Sequence, residues 1–509
     1  MIRQLGLYIV LWMIVPSVFS QGKKVPVIII ISDQLRHDAI GPFTPHINQL
    51  KKDGVSFNRT YCASPLCVPS RAAFFTGLYP NNNGSLINGW QPEDEHFREV
   101  KSGIPNLYQL MEKDWDSWHV GKQHFFTQDK IDKDPASLTK WITPQTYKQW
   151  LNSTKEKAPG GSQFKGFSPE LISGSYTVLK TYSIPRYDVY KPGIRYFDDE
   201  YYANRSVDII RNRKSKNPLL LNLMFLSPHP PYDIPEPYYS KFKPGDLVIP
   251  DNVGKWYNGQ SSLQLYNITG FIGTRYSRKE WSDIWLKYFG LVSLVDDEIG
   301  KVIDALKSSG LYDKALIIFT ADHGEMLGSH SLWQKMCMYE ESARVPLIIK
   351  FPADFKPAIR ETDDLVSLVD IWPTLMDYLG IPSENKTDGI SLIPLLKGEN
   401  RLQQPVFIQY DGNGAYGNNQ RCIVEGDYKL IIDTFKDEIF LELYQEKTDP
   451  LETQNLVMDP QYASRVHDLL EKLRKHMTDT HDLLHFTDQV YEKFLQEHQQ
   501  KTKRSGDSD

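Results

Sequence analysis

The chain has little cysteine, no excess of positive charge and no internal repeat. Four cysteines among 509 residues are too few for a scaffold built from disulfides. Acidic residues outnumber basic ones by 64 to 58, so the chain has no general attraction for nucleic acid, and no nucleic-acid partner is expected. With 40% hydrophobic residues, a chain of this length can bury a large core, which favours an enzyme over a small binding module.

The chain has one long apolar run, at its N-terminus. Arg3 precedes a mostly apolar stretch over 5–19, which predicts a signal peptide over 1–20 with cleavage after Ser20. An uncleaved signal anchor is the alternative, although the stretch is short for a bilayer span of about 20 residues. No second run of that length follows, so we expect no stable membrane anchor and a soluble, exported protein, whether secreted, lysosomal or periplasmic. Six sequences would permit N-glycosylation in a eukaryotic secretory route, at Asn58, Asn83, Asn152, Asn204, Asn267 and Asn385.

Short apolar runs alternate with a helical pattern along most of the chain. The run at 25–32 is almost unbroken Ile and Val, which predicts a strand buried on both faces, as in a parallel sheet covered by helices. Similar runs follow at 219–226, 315–320 and 345–351. A helical stretch over 291–306, apolar on one face, ends near Gly310, which is a suitable C-cap. This alternation predicts an α/β sandwich.

Three candidate site residues stand directly after predicted strands. Asp33, His229 and Asp322 each come just past a strand's carboxyl end. Ligands of α/β sheets bind beyond these ends. Side chains far apart in sequence are therefore predicted to share one site.

The character of the sequence changes past about residue 405. Short strands separated by turns are predicted at 405–410, 422–424, 428–432 and 439–444. A polar helix over 460–477 follows. We therefore predict a catalytic domain over 21–405 and a smaller antiparallel subdomain over 406–509, whose polar tail from Lys501 is expected to be disordered.

Two sequence pairs could supply ligands for a metal ion. Asp33 and Gln34 follow the first strand, and Asp322 and His323 follow a later one. Carboxylate, amide and imidazole groups that converge beyond adjacent strands suit a hard divalent cation such as Ca²⁺. Either pair alone is more typical of a turn or a helix cap. The metal-site prediction therefore depends on where the two pairs stand relative to the candidate nucleophile Cys67.

Cys67 begins the run Cys-Val-Pro-Ser-Arg, and Thr76 and Gly77 follow it. A lone cysteine beside a proline is usually only a small buried hydrophobe. This run, however, resembles the C-x-P-S-R-x-x-x-x-T-G signature of type I sulfatases, and other segments match that family in order and spacing over 25–456. They are 30–38 and 320–324 for the two metal motifs, 121–124 for the G-K-x-H motif, and 227–232, 332–335 and 444–456.

The resemblance implies a sulfatase with an alkaline-phosphatase-like fold, in which a large mixed, mostly parallel sheet lies between helices. In this family a formylglycine-generating enzyme converts the cysteine to formylglycine. Residue 67 is then expected to join the metal ligands Asp33, Gln34, Asp322 and His323. The three remaining cysteines could form at most one disulfide. The expected substrate is a sulfated small molecule or saccharide, with a carbohydrate or glycosaminoglycan preferred.

The resemblance also implies how the nucleophile and the sulfate are held. One hydroxyl of the hydrated formylglycine, polarised by the metal and deprotonated toward Asp322, would attack sulfur and form a sulfo-enzyme intermediate. Lys122, Lys335 and the metal would neutralise the sulfate oxygens. Arg71 would hold the diol and its surrounding charge.

Two histidines are implied as proton carriers. His229 would protonate the departing alcohol, and His124 would take a proton from the second hydroxyl, which expels sulfate. His37, Asp38 and His330 also lie near the motifs, but the sequence gives weaker support for a role in the site. Of these, Asp38 is expected to be structural and His330 to line the pocket.

Two positions depart from the common family pattern. Many sulfatases carry Asp where this chain has Gln34, and Asn where it has His323. Both alternatives also occur in phosphonate and phosphate ester hydrolases of the superfamily, so a phosphonate monoester or phosphodiester hydrolase is the second interpretation. A non-catalytic protein that binds sulfated glycans is the third, and it is disfavoured because the nucleophile, ligands, lysines and histidines are all present.

Three long aromatic segments, 81–100, 125–195 and 228–281, are predicted to form the rim of the site. Tryptophans in and near these segments could stack on sugar rings, although core packing is expected to account for more than half of them. They are Trp90, Trp115, Trp118, Trp141, Trp150 and Trp256.

Overall fold

The computed structural model describes residues 23–89, 95–173, 176–382, 386–401, 403–413, 417–487 and 489–497. The predicted signal peptide, the tail from Lys501, Trp90 and Asn385 therefore lie outside the described residues. Within the ranges described, no helix is both long enough and apolar enough to cross a membrane.

The described chain forms strands β1–β16 and helices α1–α13. The strands are β1 Val27–Asp33, β2 Val55–Tyr61, β3 Asp116–Gly121, β4 Lys140–Ile142, β5 Lys165–Ser173, β6 Tyr176–Ser183, β7 Tyr187–Val189, β8 Leu219–Pro228, β9 Tyr232–Ile234, β10 Leu316–Ala321, β11 Arg344–Lys350, β12 Glu361–Ser367, β13 Val406–Asp411, β14 Asn418–Glu425, β15 Tyr428–Phe435 and β16 Glu438–Gln445. The helices are α1 Pro45–Asp53, α2 Cys67–Thr76, α3 Pro80–Asn83, α4 Glu95–Arg98, α5 Leu107–Met111, α6 Pro144–Thr154, α7 Asp198–Asn212, α8 Ile268–Gly273, α9 Arg278–Ser308, α10 Glu340–Ala343, α11 Ile371–Leu379, α12 Ile393–Leu396 and α13 Ala463–Asp479.

The larger sheet has eight strands in the order β12-β2-β11-β10-β1-β8-β3-β4. The strands from β10 to β4 pair in parallel, as do β12 and β2, whereas β11 is antiparallel to both of its neighbours. All seven residues of β1 are buried, as its run of Ile and Val predicts for a strand covered on both faces. The predicted mixed, mostly parallel sheet is confirmed.

The long helix α9 packs against β8 of this sheet, together with α7. Ser277 and Glu280 form a capping box at its start, which satisfies two backbone N–H groups that the helix leaves unpaired. The helix ends at Ser308. Gly310, with φ of 67°, follows where the sequence predicted the C-cap.

The smaller sheet is antiparallel, in the order β13-β14-β15-β16. The apolar side of α13 covers it through Val466, Leu469 and Leu473. The strands and the helix predicted after residue 405 are therefore confirmed. The domain boundary between 405 and 406 stays a prediction.

Buried ion pairs join the smaller sheet to the rest of the protein. Lys429 on β15 has no exposed side-chain surface, and its ammonium contacts the carboxylates of Glu340, Glu446 and Glu452. Glu452 also accepts the backbone N–H of Glu340 at 2.7 Å. Because an unpaired buried charge is costly, these contacts give the matched segment 444–456 a structural role between the two sheets.

Two segments predicted as rim loops contain regular structure. The 125–195 segment includes α6 and the β5–β6 hairpin, and the 228–281 segment includes α8. The hairpin exposes Phe167 and Leu179 to 70% and 69%. An apolar residue on an exposed face breaks the alternation by which a strand is recognised, which is why the sequence did not predict this hairpin.

Burial decides what the cysteines and the glycosylation signals can do in the folded chain. All four cysteines are buried and unpaired, so the single disulfide that the sequence allowed is not formed. Asn152 and Asn204 are exposed, whereas Asn83 and Asn267 are buried and use their side-chain amides inside the protein. A glycan needs an exposed amide, so the folded chain is compatible with modification at Asn152 and Asn204.

Candidate active site

Four neighbouring strands deliver polar residues to one edge of the larger sheet. Asp322 follows β10, Asp33 ends β1, His229 follows β8 and Lys122 follows β3. These strands are adjacent in the order β10-β1-β8-β3 and parallel, so their carboxyl ends meet at the same edge. The structure thus brings together four residues, of which the outermost, Asp33 and Asp322, are 289 positions apart in the sequence.

Cys67 is the first residue of α2, and its side chain lies among these strand ends. All ten residues of α2 are buried. Gly77 ends the helix with φ of 69°, a left-handed backbone that glycine adopts without a Cβ clash. Asn88 Oδ1 accepts the N–H of Val68 at 3.0 Å. The start of the helix places partial positive charge beside the sulfur.

The Cys67 sulfur is surrounded by side-chain nitrogen atoms. It lies 3.1 Å from His323 Nε2, 3.5 Å from Lys335 Nζ and 4.0 Å from Lys122 Nζ. Burial by itself would raise the pKa of the thiol, but Lys122, Lys335 and His323 lower it well below its usual range. The site therefore stabilises an anionic group at position 67.

Arg71, one turn further along α2, joins the two carboxylates of the site. Its Nη2 lies 2.8 Å from Asp33 Oδ2, and its Nε lies 2.9 Å from Asp322 Oδ2. Burial would raise the pKa of Asp33, but the charges of Lys122 and Arg71 hold it well below its usual range. Burial and the charge of Asp33 raise the pKa of Asp322. Arg71 thus donates to the acids and fixes their positions.

The donor groups fit the divalent cation that the resemblance implies. Asp33, Cys67, Asp322 and His323 each offer one ligand atom, and these atoms lie within 4.8 Å of one another. All four residues are buried. Two carboxylates that repel each other in a buried pocket, with an imidazole beside them, are a suitable donor set for a divalent cation.

Gln34, the fifth predicted ligand, lies in the same pocket. Its φ is 65°, and its backbone N–H donates to Asp322 Oδ1 at 3.1 Å. Its side-chain oxygen accepts from Lys335 Nζ at 2.6 Å. Lys335 and Lys122 are only 2% and 7% exposed, so neither is the solvated surface lysine that is common elsewhere.

His124 and His229 are two half-buried residues of the site. His124 stands two positions after Lys122, just past β3, and His229 Nε2 lies 4.0 Å from Asp33 Oδ1. Burial and the charge of Lys122 lower the pKa of each histidine to about 4. Both imidazoles are therefore neutral at pH 7 in the free site.

Asp38 and His330, which lie near the motifs, make structural contacts. Asp38 pairs with Arg36 at 2.7 Å. His330 is fully buried and stacks on Tyr339, with ring centroids 4.0 Å apart. These contacts hold the loops around the site.

Two acids contact the site without having been predicted. Glu325 accepts from the Gln34 side-chain amide. Asp199 accepts the N–H groups of Leu226 and Ser227 at 2.7 and 2.8 Å, which fixes the end of β8 before His229. Glu325 directly follows Asp-His-Gly at 322–324. Its place next to a predicted metal motif could have identified it from the sequence. Asp199 has no comparable signal in the sequence.

The tryptophans proposed for sugar stacking are mostly packed inside. Trp115 is buried, and Trp118, Trp141 and Trp150 pack against the core. Trp256 is 37% exposed. Among the described members of this set, Trp256 has the most surface to offer to a ligand.

Known proteins are similar to this chain in sequence and in fold. A family model described as Sulfatase matches residues 26–381, and one described as N-sulphoglucosamine sulphohydrolase, C-terminal, matches residues 328–479. The choline-sulfatase of Rhizobium meliloti (strain 1021) is 29% identical over 459 residues, covering 86% of this chain and 83% of that protein.

Solved structures show the same fold at low identity. The phosphonate monoester hydrolase of Agrobacterium radiobacter superposes with a TM-score of 0.71 at 24% identity, over 90% of this chain and 96% of that one. A 2-O GAG sulfatase gives 0.69 at 22% identity, over 90% and 93%. The predicted alkaline-phosphatase-like sandwich is thereby confirmed. Since the Sulfatase model spans well over half of the sequence, the chain belongs to the sulfatase family and is a sulfuric ester hydrolase.

Proposed function

We propose that the chain hydrolyses the sulfate ester of a carbohydrate, with formylglycine made from Cys67 as its nucleophile and Ca²⁺ as its metal. The observation that carries this proposal is the surroundings of the Cys67 sulfur, with Lys335 and Lys122 at 3.5 and 4.0 Å. Two buried ammonium groups beside one nucleophile suit an anionic substrate, because charge developing on sulfate oxygens meets fixed cations in a water-poor pocket.

The two groups that the chain acquires supply chemistry that its side chains lack. Formylglycine, as its hydrate, supplies an oxygen nucleophile and a second hydroxyl whose deprotonation releases sulfate. A divalent cation supplies positive charge beside the sulfate oxygens. The residues that would hold this cation are Asp33, Gln34, Asp322, His323 and residue 67.

The side chains around them bind, orient and move protons. Lys122 and Lys335 bind the sulfate oxygens, and Arg71 keeps both carboxylates in place through its bonds at 2.8 and 2.9 Å. The neutral imidazole of His124 accepts the proton of the second hydroxyl. His229 donates a proton to the departing oxygen, and the bound sulfate offsets the lysine charges that otherwise disfavour protonated His229.

Replacing His229 with alanine should have an effect that depends on the leaving group. We expect kcat/KM to fall roughly 10²–10³-fold for an alkyl or sugar sulfate and less than about 10-fold for 4-nitrophenyl sulfate, whose phenolate leaves without a proton. His124→Ala is the matched control, because release of sulfate is common to all substrates and its effect on kcat should be similar for both esters. Equal losses on the two esters for His229→Ala would contradict the acid role.

Rates on two aryl esters test the reaction class. We expect kcat/KM for 4-nitrophenyl sulfate to exceed that for an aryl phosphonate monoester, because the site is proposed to have evolved for sulfate. A large phosphonate preference would overturn the proposal and favour the activity named for the Agrobacterium radiobacter structure.

A panel of natural esters tests the substrate class. The match to the C-terminal model named for N-sulphoglucosamine sulphohydrolase and the 2-O GAG sulfatase neighbour favour a sulfated saccharide. The choline-sulfatase relative favours a small ester. Turnover of choline sulfate with none on defined sulfated saccharides would replace the carbohydrate part of the proposal.

We also propose that the chain is exported after removal of residues 1–20, and that formylglycine is installed by its generating enzyme during maturation. The apolar stretch over 5–19 supports export. The Cys-Val-Pro-Ser-Arg run from Cys67 supports the modification. Residues 21–405 would form the catalytic domain and 406–509 the subdomain that carries the smaller sheet.

A further inference from the structure

The side-chain amide of Gln34 lies between a cation and an anion. Its oxygen accepts from Lys335 Nζ at 2.6 Å, and its NH₂ group donates to Glu325 Oε2. All three residues are buried. Since Lys335 Nζ is 3.5 Å from Cys67 Sγ, the amide oxygen is on the side of the nucleophile and the NH₂ group is on the side of Glu325.

These two partners leave the amide one favourable orientation. An ammonium group can only donate, so the amide oxygen faces Lys335, and the Glu325 oxygen on the other side accepts from the NH₂ group. A flipped amide would place its NH₂ group against Lys335 and its oxygen against Glu325. Both hydrogen bonds would then be replaced by repulsive contacts in a buried setting, where unpaired polar groups are costly.

Glu325 is itself held firmly. Its other carboxylate oxygen, Oε1, accepts the backbone N–H groups of Leu327 at 3.0 Å and Gln334 at 2.6 Å. Gln334 directly precedes Lys335, so Glu325 also holds the segment that brings Lys335 to the site. The carboxylate therefore has a fixed position from which it orients the amide.

The Gln34 side chain is an uncharged amide, so it brings no negative charge to its ligand position. Glu325 places a carboxylate on the far side of the same amide. We propose that Glu325 is a positioning residue of the metal site, where its carboxylate holds the Gln34 amide with the carbonyl oxygen toward Lys335 and the cation. This role rests on the metal site proposed above.

Calorimetric titration of Ca²⁺ into the metal-stripped full chain tests the role directly. In Glu325→Gln, the new amide keeps its oxygen on the N–H groups of Leu327 and Gln334 and turns its NH₂ group toward Gln34. Two NH₂ groups would then face each other, and Gln34 should flip. We expect Ca²⁺ affinity to fall about 10–100-fold, the usual effect of losing an outer partner of a metal ligand.

Exchanging the two residues should restore binding. In the double variant Gln34→Glu with Glu325→Gln, the NH₂ group of residue 325 donates to the carboxylate of residue 34, whose other oxygen still accepts from Lys335. We expect Ca²⁺ affinity within a few-fold of wild type. A purely structural role of Glu325 would not be rescued by a change at residue 34.

Glu442→Gln is the matched control. Glu442 is another buried glutamate, it belongs to the smaller sheet, and it accepts from Tyr339 Oη at 2.7 Å. Its variant should lose thermal stability and keep wild-type Ca²⁺ affinity.

The outcomes separate this role from the metal site itself. Wild-type affinity in Glu325→Gln, or a double variant that recovers neither folding nor binding, would overturn the role of Glu325 alone. A wild-type chain that takes up no Ca²⁺ would overturn the metal site and this role together. If Glu325→Gln does not fold, a folded double variant that binds Ca²⁺ still supports the pairing.

Discussion

Cys67→Ala is expected to lower kcat/KM on any sulfate ester by at least ~10⁴-fold, as removal of a covalent nucleophile commonly does, with little change in the melting temperature. Alanine keeps the packing of α2 but has no group that can be oxidised to an aldehyde. Lys122, Lys335 and the two carboxylates stay in place, so the variant should still bind a sulfate ester. Steady-state kinetics and a thermal melt measure both parts.

A second buried cysteine provides the matched control for this prediction. Cys62 is fully buried next to the end of β2, and burial raises the pKa of its thiol. A neutral, enclosed thiol has no role in the proposed chemistry, so Cys62→Ala should keep kcat/KM within a few-fold of wild type.

The modification itself can be followed by mass. Conversion to formylglycine replaces the sulfur and two hydrogens of Cys67 with one oxygen, which the mass of the peptide spanning residue 67 reveals. Across preparations, kcat should rise in proportion to the converted fraction. Turnover that is independent of this fraction would contradict the role of Cys67.

The strands of the larger sheet could be predicted because burial on both faces leaves a simple record in the sequence. The run at 25–32 became β1, with every residue buried, and the run at 345–351 became β11. The apolar pattern of a strand does not show, however, whether it runs parallel or antiparallel to its neighbours. That β11 is antiparallel between β10 and β2 depends on the connections between strands, and these are visible only in the fold.

The grouping of the candidate site residues could also be predicted, because motif spacing and strand ends both indicate it. Their contacts could not. Arg71 was expected to hold the diol and its surrounding charge, and the sequence did not show that its guanidinium donates to both Asp33 and Asp322. Gln34 and Glu325 lie 291 positions apart, and no local pattern reports a contact over that distance. The lowered pKa values of His124 and His229 depend on enclosure beside Lys122, which sequence does not show.

Asp33 is the residue on which the charges of the site converge. Its carboxylate lies 2.8 Å from Arg71 Nη2 and 2.8 Å from Lys122 Nζ, and the Cys67 sulfur lies 3.9 Å from its Oδ1. The pKa of Asp33 is held well below its usual range against burial, so it is ionised at all ordinary pH values. An amide of the same shape would remove one negative charge from a pocket that contains three buried cations, Arg71, Lys122 and Lys335.

Asp33→Asn is therefore expected to lower kcat/KM by roughly 10³-fold or more, the scale of losing a preorganised charge at a reaction centre, and to abolish measurable Ca²⁺ binding. Its melting temperature should fall as well, because breaking a buried ion pair on one side costs about 3–5 kcal/mol.

Asp482→Asn separates the loss of activity from the loss of stability. Asp482 is buried and pairs at 2.5 Å with Arg421, which lies on β14 of the smaller sheet. That variant should melt early yet keep kcat/KM and Ca²⁺ affinity below its melting range. If both variants lose activity only in step with stability, Asp33 contributes to the fold and not to the reaction; a loss confined to Asp33→Asn places its charge in the chemistry.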